Sequence, residues 1–478
     1  KSLRTLVLVL LCHFVRCQKD PLKDFCRKFS HRTAVMNNKI YIDGGYVNWA
    51  PLSAESENVT NEWLVYGDFE IDNSGFPQQF VLPSKLPPNV AGGSLWADEI
   101  NNIFYAFGGY FTSETPKPFE TWAFDGNQRT WSNIITQGES MAYAAHGMSA
   151  VSPDTGISYY LGGYQDALTT AEWSGPRRYI SRMTTFNMVT REYSTLSGPD
   201  LSGRGEGSMH FIPASNAGML IYYGGVEQYP GSNETKGDIW IFDLDLQRWY
   251  MQKATGDVPE PRARFCSGVT WADDKSSYNI YLLGGIDPDF QTVGFGDVYV
   301  LTLPSFIWIK WWPRPEHNVD ATFPHHSLTC DVINGTQMIV MGGHFTNITS
   351  ECDVPVVYGQ HGLDLGVIND KKVPWVLFRY DNPPYRVPEL VVNVIGGTAR
   401  GNANATRPKN NMTYDEYLFE KSYSVPQRYP TVPWQPSTTS IVGTNDTNSG
   451  SLPETSTLVG AVIGSIVGSV ILGVAGYY

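Results

Sequence analysis

The side chains able to bind metal or move protons are thinly spread along this 478-residue chain. His31, His146, His210, His317, His325, His326, His344 and His361 stand apart except for the pair His325-His326. Imidazoles hold copper or zinc when several converge on one point. Neighbours on a strand face opposite ways, so this pair cannot serve one ion without a bulge. "DPDF", Asp287 to Phe290, lacks the regular acidic spacing of a calcium loop and reads as a turn, as do Asp243 and Asp245 in "FDLDLQRW". No Gly-x-Ser-x-Gly, His-Glu-x-x-His or phosphate loop closed by Lys-Ser/Thr occurs. The residues thus predict no metal, no cofactor and no local catalytic motif. Only a triad gathered from distant positions would escape this reading.

The cysteines point to structure rather than chemistry. Cys26, Cys266, Cys330 and Cys352 form an even set without a Cys-x-x-Cys pair, which predicts two disulfides. Closeness in sequence favours Cys330 with Cys352 and leaves Cys26 with Cys266, while a staple from Cys26 to Cys352 stays open. An oxidising, extracellular compartment agrees with sequons at Asn58, Asn233, Asn334, Asn347, Asn404, Asn411 and Asn445. Both ends agree as well. Lys1 and Arg4 lead into "LVLVLLCHFV", which has the flank and length of a secretory signal over residues 1–17, with a short buried helix as the alternative. Residues 457–478, "TLVGAVIGSIVGSVILGVAGYY", carry no charge over about the 20 residues of a transmembrane helix. The alternatives there are an anchor signal that is later removed and a buried helix. A net charge of −13 offers nothing to a phosphate backbone, so nucleic acid is excluded as an expected partner.

Scattered side chains need a scaffold to bring them together, and the scaffold is periodic. A strand-like apolar run ends in two glycines at Gly44-Gly45, Gly108-Gly109, Gly162-Gly163, Gly224-Gly225, Gly284-Gly285 and Gly342-Gly343. The spacing runs from 54 residues (Gly108 to Gly162) to 64 (Gly44 to Gly108). Downstream sits a second landmark: Trp122, Phe124, Asp125 and Trp131 in one unit, Trp240, Phe242, Asp243 and Trp249 in another. The other units give Thr184, Phe186, Asn187 and Tyr193, then Tyr299, Leu301, Thr302 and Trp308. Alternating apolar positions on either side of a polar turn describe a hairpin. A further short strand precedes each glycine pair, as in "HGMSAVS", "EGSMHFI" and "RFCSGVTW". Each unit is then four strands, and such units bury their faces by stacking radially into an all-β propeller.

The Gly-Gly after the second strand, with the later aromatic pair, resembles the kelch repeat. Wording such as "YIDGGYVN", "SLWADE", "KSSYNIYLLGG" and "LPSFIWIKWWP" is similar to the secreted or membrane-anchored kelch proteins of filamentous fungi. The resemblance covers about residues 26–375 and implies a fold far more than a function. "VVNVIGG" at Gly396 invites a seventh blade. From Trp375 it leaves 21 residues where Tyr193 to Gly224 leaves 31, too few for a linker and two strands. The expectation is six four-stranded blades within residues 26–396, seven being possible, with the Gly396 segment as an added strand or a cover. Residues 397–456, rich in Asn, Thr, Ser and Pro, read as a disordered, glycosylatable stalk.

The resemblance also implies a rival function, because copper radical oxidases related to galactose oxidase share the propeller. Their copper needs two His, a Tyr ligand and a Tyr crosslinked to Cys, and no Tyr-His dipeptide of their kind occurs here. The preferred reading is a non-catalytic scaffold, not an enzyme, at the plasma membrane with its propeller outside, binding a glycan or protein. Long loops after the glycine pairs carry the candidate binding residues Trp49, Tyr110, Tyr164, Trp173, Arg177, Arg178, Tyr229 and Phe290. Gly460, Gly464 and Gly468 recur on one face of the terminal segment and would allow a homodimer there.

Overall fold

The structure is a computed structural model that describes residues 19–431 apart from 83–85, 230, 231, 235–237, 290, 318, 320, 321, 349 and 370. Antiparallel sheets dominate it. The first orders Arg32–Met36, Lys39–Asp43, Val65–Asn73 and Phe76–Val81, each strand paired with the next in sequence. The second repeats this with Val90–Asp98, Ile103–Phe111, Thr121–Asp125 and Thr130–Ile134. The third uses Met148–Ser152, Ile157–Leu161, Arg182–Asn187 and Glu192–Ser197. The fourth runs Ser208–Ile212, Met219–Tyr223, Asp238–Asp243 and Arg248–Lys253. The fifth runs Cys266–Trp271, Tyr278–Leu283, Val298–Leu303 and Ile307–Trp312. The sixth has Thr329–Ile333, Gln337–Met341 and Gln360–Asp364, with a single bridge from Leu363 to Trp375 at its outer edge. The landmark aromatics face each other as hairpin partners: Phe124 opposite Trp131, Phe186 opposite Tyr193, Phe242 opposite Trp249, Leu301 opposite Trp308.

Both faces of each sheet are apolar because both are covered. Every residue of Tyr278–Leu283 is buried. Alternate side chains of that strand point opposite ways. Ile280 and Leu282 pack with Ile221 and Ile241 of the fourth sheet, whereas Tyr281 and Leu283 pack with Met338 and Val340 of the sixth. The same pattern joins the last sheet to the first, where Ile339 and Met341 meet Ile40 and Ile42. This is the radial stacking of a β-propeller.

Two cycles of backbone hydrogen bonds tie the sheets together around the axis. A left-handed residue stands at the inner end of each sheet, with φ between 52° and 65°. Ser30, His146, Glu206, Arg264 and Ser327 lie two residues before the innermost strand, and Gly92 lies within the first residues of Val90–Asp98. Each N–H donates to the carbonyl of the equivalent residue before it, and Ser30 donates to Ser327, at 2.7 to 2.9 Å. The glycine pairs form the second cycle. Gly45, Gly109, Gly163, Gly225, Gly285 and Gly343 donate to Val90, Ala144, Arg204, Arg262, His325 and Lys28, each on the next sheet. The first glycine of a pair has no space for a side chain: a Cβ on Gly44 would lie 2.3 Å from the Val90 oxygen that Gly45 uses. Both glycines also have positive φ, 68° and 73°. The repeated Gly-Gly is therefore a docking point between sheets.

Two expectations change and a third narrows. The disulfides are Cys26–Cys352 and Cys266–Cys330, with Cα separations of 4.5 and 5.4 Å, instead of the favoured Cys330–Cys352 with Cys26–Cys266. In a ring, neighbours in sequence lie in one sheet while residues far apart meet at sheet junctions. Cys266 and Cys330 sit on the innermost strands of the fifth and sixth sheets, and Cys26–Cys352 joins the first strand to the loop of the last sheet. Of the two alternatives for "VVNVIGG", the added strand falls and the cover stands. It is the helix Glu389–Ile395, capped by Gly396 at φ 76°, and Val391 and Ile395 cover the junction of the fifth and sixth sheets.

The second change concerns the expected stalk, whose residues 397–431 pack on the propeller. Asn402 N–H donates to Asp274, and Thr413 N–H to Gln252. Tyr414 and Leu418 are buried between the fourth and fifth sheets, Tyr423 reaches Asp154, and Arg428 pairs with the buried Asp98 at 3.0 Å. The segment thus crosses the sheets from the sixth back to the second. Residues 1–17 and 457–478, with Gly460, Gly464 and Gly468, lie outside the described residues, as do 432–456 with Asn445. Among the described residues no helix is long and apolar enough to cross a membrane.

Candidate functional site

The residue after each glycine pair is delivered to the axis by a fixed pairing. Tyr46 pairs with Phe29, Tyr110 with Ala91, Tyr164 with Ala145, Val226 with Gly205, Ile286 with Ala263 and His344 with His326. Each partner lies directly before a left-handed residue of the inner cycle, so twelve positions crowd around one opening. Beneath it lies a cavity of about 380 Å³, lined by His31, Ser94, His146, Glu206, Arg264 and Thr329 among others. The mouth of this channel is the candidate site.

Its wall is an aromatic ladder. Phe29 stacks on Tyr46 with centroids 5.3 Å apart, Tyr46 lies 6.3 Å from Tyr110, and His146 stacks between Tyr110 and Tyr164 at 5.9 Å from each. On the other flank His326 stacks on His344 at 5.2 Å. One ion pair crosses the mouth. Arg264 Nε and Nη2 donate to Glu206 at 2.8 and 3.1 Å, and Tyr179 donates to the same carboxylate at 2.9 Å. Burial alone would raise the Glu206 pKa, but the Arg264 charge and hydrogen bonds overcome it and hold the carboxyl at about 2. The histidines are neutral. Burial, with help from nearby cations, lowers His31, His146 and His326 to about 3. Burial pushes the Tyr110 and Tyr179 hydroxyls well up and Tyr164 to about 12. The mouth thus offers neutral hydroxyl and imidazole groups and two internally compensated pairs, Arg264 with Glu206 and Arg177 with Asp166.

Acid should weaken this arrangement. In the unfolded chain a histidine takes a proton near about pH 6.5, but folded His31 does so only near 3. A depressed folded pKa means stability that is present above the unfolded value and lost as pH falls. The melting temperature should therefore drop from about pH 6.5 downward, with about 1.4 kcal/mol per pH unit from buried His31 and less from half-buried His146 and His326. Glu206 adds its loss only below about pH 4.3, its unfolded value. Asp331, raised to about 7 by burial, gains stability as pH falls over the same range and opposes the histidine loss. Thermal scans of Asp331→Asn check the sign, and a constant melting temperature of that variant between roughly pH 7 and 5 would contradict the neutral histidines.

The candidate residues divide. Tyr110 and Tyr164 stand in the mouth, and Arg177 caps Tyr164 with its guanidinium 3.6 Å from the ring centroid while pairing with Asp166 at 3.0 Å. Trp49 packs edge-on against Trp63 at 5.7 Å, away from the ladder. Trp173 donates to the Gly175 and Pro176 carbonyls and takes Arg178 over its ring, fixing its own loop. The side chain of Tyr229, and Phe290 entirely, lie outside the described residues. Tyr46, Glu206 and Arg264 escape the sequence reading, and His146, His326 and His344 enter it only as possible metal ligands. The position after Gly-Gly marks Tyr46 and His344, but no local pattern marks the other four.

The arrangement offers little for catalysis. His325 stacks on Phe345 and His326 on His344, so the adjacent pair indeed diverges. Among the described residues no three His, Cys, Asp or Glu side chains gather as for a metal. His210 meets the Ser267 hydroxyl at 2.7 Å and burial lowers it to about 4, but its bonded neighbours are serines, with no carboxylate to orient it as a base.

Comparison with known proteins agrees with the fold. A model of the KLHDC2/KLHL20/DRC7 Kelch-repeats domain matches residues 30–285, just over half of the chain. A kelch repeat-containing protein of Arthroderma benhamiae is 26% identical over 486 aligned positions, which span 85% of this chain and 70% of that protein. With the glycine pairs docking successive sheets around one channel, the chain belongs to the kelch-repeat family, whose propellers generally serve as interaction scaffolds.

Proposed function

We propose that this chain is a closed, six-bladed extracellular kelch propeller that binds a neutral glycan at the channel mouth and performs no chemistry on it. The observation that carries the reading is the uncharged aromatic ladder from Tyr46 through Tyr110 and His146 to Tyr164. Flat aromatic faces suit the apolar faces of sugar rings, and neutral hydroxyl and imidazole groups can both donate and accept. A charged ligand would leave its charge unpaired in a partly desolvated site. Six blades are supported by two hydrogen-bond cycles that each return to their start after six steps. Two disulfides favour an oxidising compartment. Asn58, Asn334, Asn347, Asn404 and Asn411 are all exposed, as glycosylation requires. Anchoring at the plasma membrane through residues 457–478, with a possible dimer through their glycines, completes the proposal.

A glycan screen with the purified protein tests the site. Tyr46→Ala and Tyr110→Ala should each weaken the bound glycan at least about tenfold, as loss of a central aromatic does. Trp49→Ala and Trp173→Ala should leave binding unchanged. Binding that survives both tyrosine substitutions, or a screen that yields only protein partners, would overturn the glycan reading.

A further inference from the structure

A second cavity, of about 370 Å³, lies off the axis between the fifth and sixth sheets, beside the Cys26–Cys352 disulfide. Its size falls at the lower end of the range for small-molecule sites. The walls are aromatic and come from separate elements. Trp312 ends the outer strand of the fifth sheet, Trp375 bridges the sixth, and their rings meet edge-on at 5.6 Å. Phe345 and Ile348 belong to the loop after Gly343, and Phe323 to the segment entering the sixth sheet. These groups give the cavity an aromatic lining.

Several polar groups there have partners, while Trp375 Nε1 and Asp353 Oδ2 are buried without one among the described residues. Arg27 donates to the Glu351 carbonyl at 2.7 Å and lies 4.8 Å from the Phe345 centroid. His361 and Asp353 bond each other at 2.7 Å. His325 differs. Its Nδ1 lies 2.6 Å from the Phe323 carbonyl, an acceptor, so Nδ1 carries the hydrogen. Burial keeps the ring neutral, which makes Nε2 an acceptor. The ring also stacks on Phe345 at 4.8 Å and 11°, which fixes its plane.

From this geometry we infer that the cavity is a binding site for a small, flat aromatic molecule with one N–H or O–H donor, of the indole or phenol class, lying against Trp312 and Trp375 with its donor on His325 Nε2. The site is separate from the channel mouth, so it stands whether or not the mouth binds glycans.

Calorimetric titration of the purified full chain with indole, 1-methylindole and N-acetyltryptophanamide tests it. Indole should bind one to one, and 1-methylindole about tenfold more weakly, since it lacks the single hydrogen-bond donor. His325→Phe should erase that difference while retaining both ligands. Ile348→Trp should fill the cavity and abolish binding, with Tyr110→Ala as a control that leaves it unchanged. Circular dichroism verifies that Ile348→Trp is folded. If it is not, the His325→Phe comparison decides alone. Absence of saturable indole binding at millimolar concentration, equal affinity for 1-methylindole, or capture of N-acetyltryptophanamide but not indole would each overturn the inference.

Discussion

Gly162→Ala should destabilise the protein by about 3–5 kcal/mol, near the upper end for a single substitution. An alanine Cβ there would lie 2.1 Å from the Arg204 carbonyl oxygen. That oxygen also accepts the Gly163 N–H at 2.8 Å, so it cannot retreat without breaking the link between the third and fourth sheets. Gly335→Ala is the matched control. Its φ of 68° equals the 69° of Gly162 within a degree, yet its Cβ would meet only Thr270 Oγ1 at 3.6 Å. It should lose about 1 kcal/mol, the usual cost of a left-handed alanine. Urea unfolding of both variants separates conformational strain from steric conflict. Equal losses would show that the glycine pairs are required for φ alone.

Removing the Cys26–Cys352 disulfide by double serine substitution should cost about 2–5 kcal/mol. The bond spans 326 residues, against 64 for Cys266–Cys330. In the chain-entropy model the longer loop stabilises more, by about 1.4 kcal/mol. Paired serine variants should therefore rank in that order in thermal or urea unfolding. Greater damage from the loss of Cys266–Cys330 would show that local packing outweighs loop length.

The fold was largely legible because its determinants are local and repeated. Each Gly-Gly sits at the end of an apolar run such as Ile280 to Leu283, and the outer hairpins of the second, third and fourth sheets have their aromatic pairs in register. What the sequence hid depends on closure. Cys26 and Cys352 are remote along the chain and adjacent only because the last sheet meets the first. The segment 397–431 misled through its composition. Its anchors Tyr414, Leu418, Tyr423 and Arg428 are widely spaced in polar text, and each binds a groove or carboxylate already built by the sheets.

The candidate site was legible only in part, for a related reason. Tyr110 and Tyr164 follow glycine pairs, and so does Tyr46, which size alone did not recommend beside Trp49. Trp49 is larger, but it is spent on Trp63. His146, Glu206 and Arg264 precede innermost strands in three different units, and no spacing within one unit predicts that they meet. Their convergence is a property of the ring.

The two hydrogen-bond cycles distinguish this molecule from an open array of repeats. In a linear stack the terminal repeats have one neighbour each, so melting can begin at an end and spread inward. Here every sheet has two neighbours, and opening any one severs two junctions at once. Among the described residues no sheet is terminal, so the ring offers no end sheet from which to fray. Partial unfolding should therefore be rare, and the channel mouth should keep its shape until the whole ring fails.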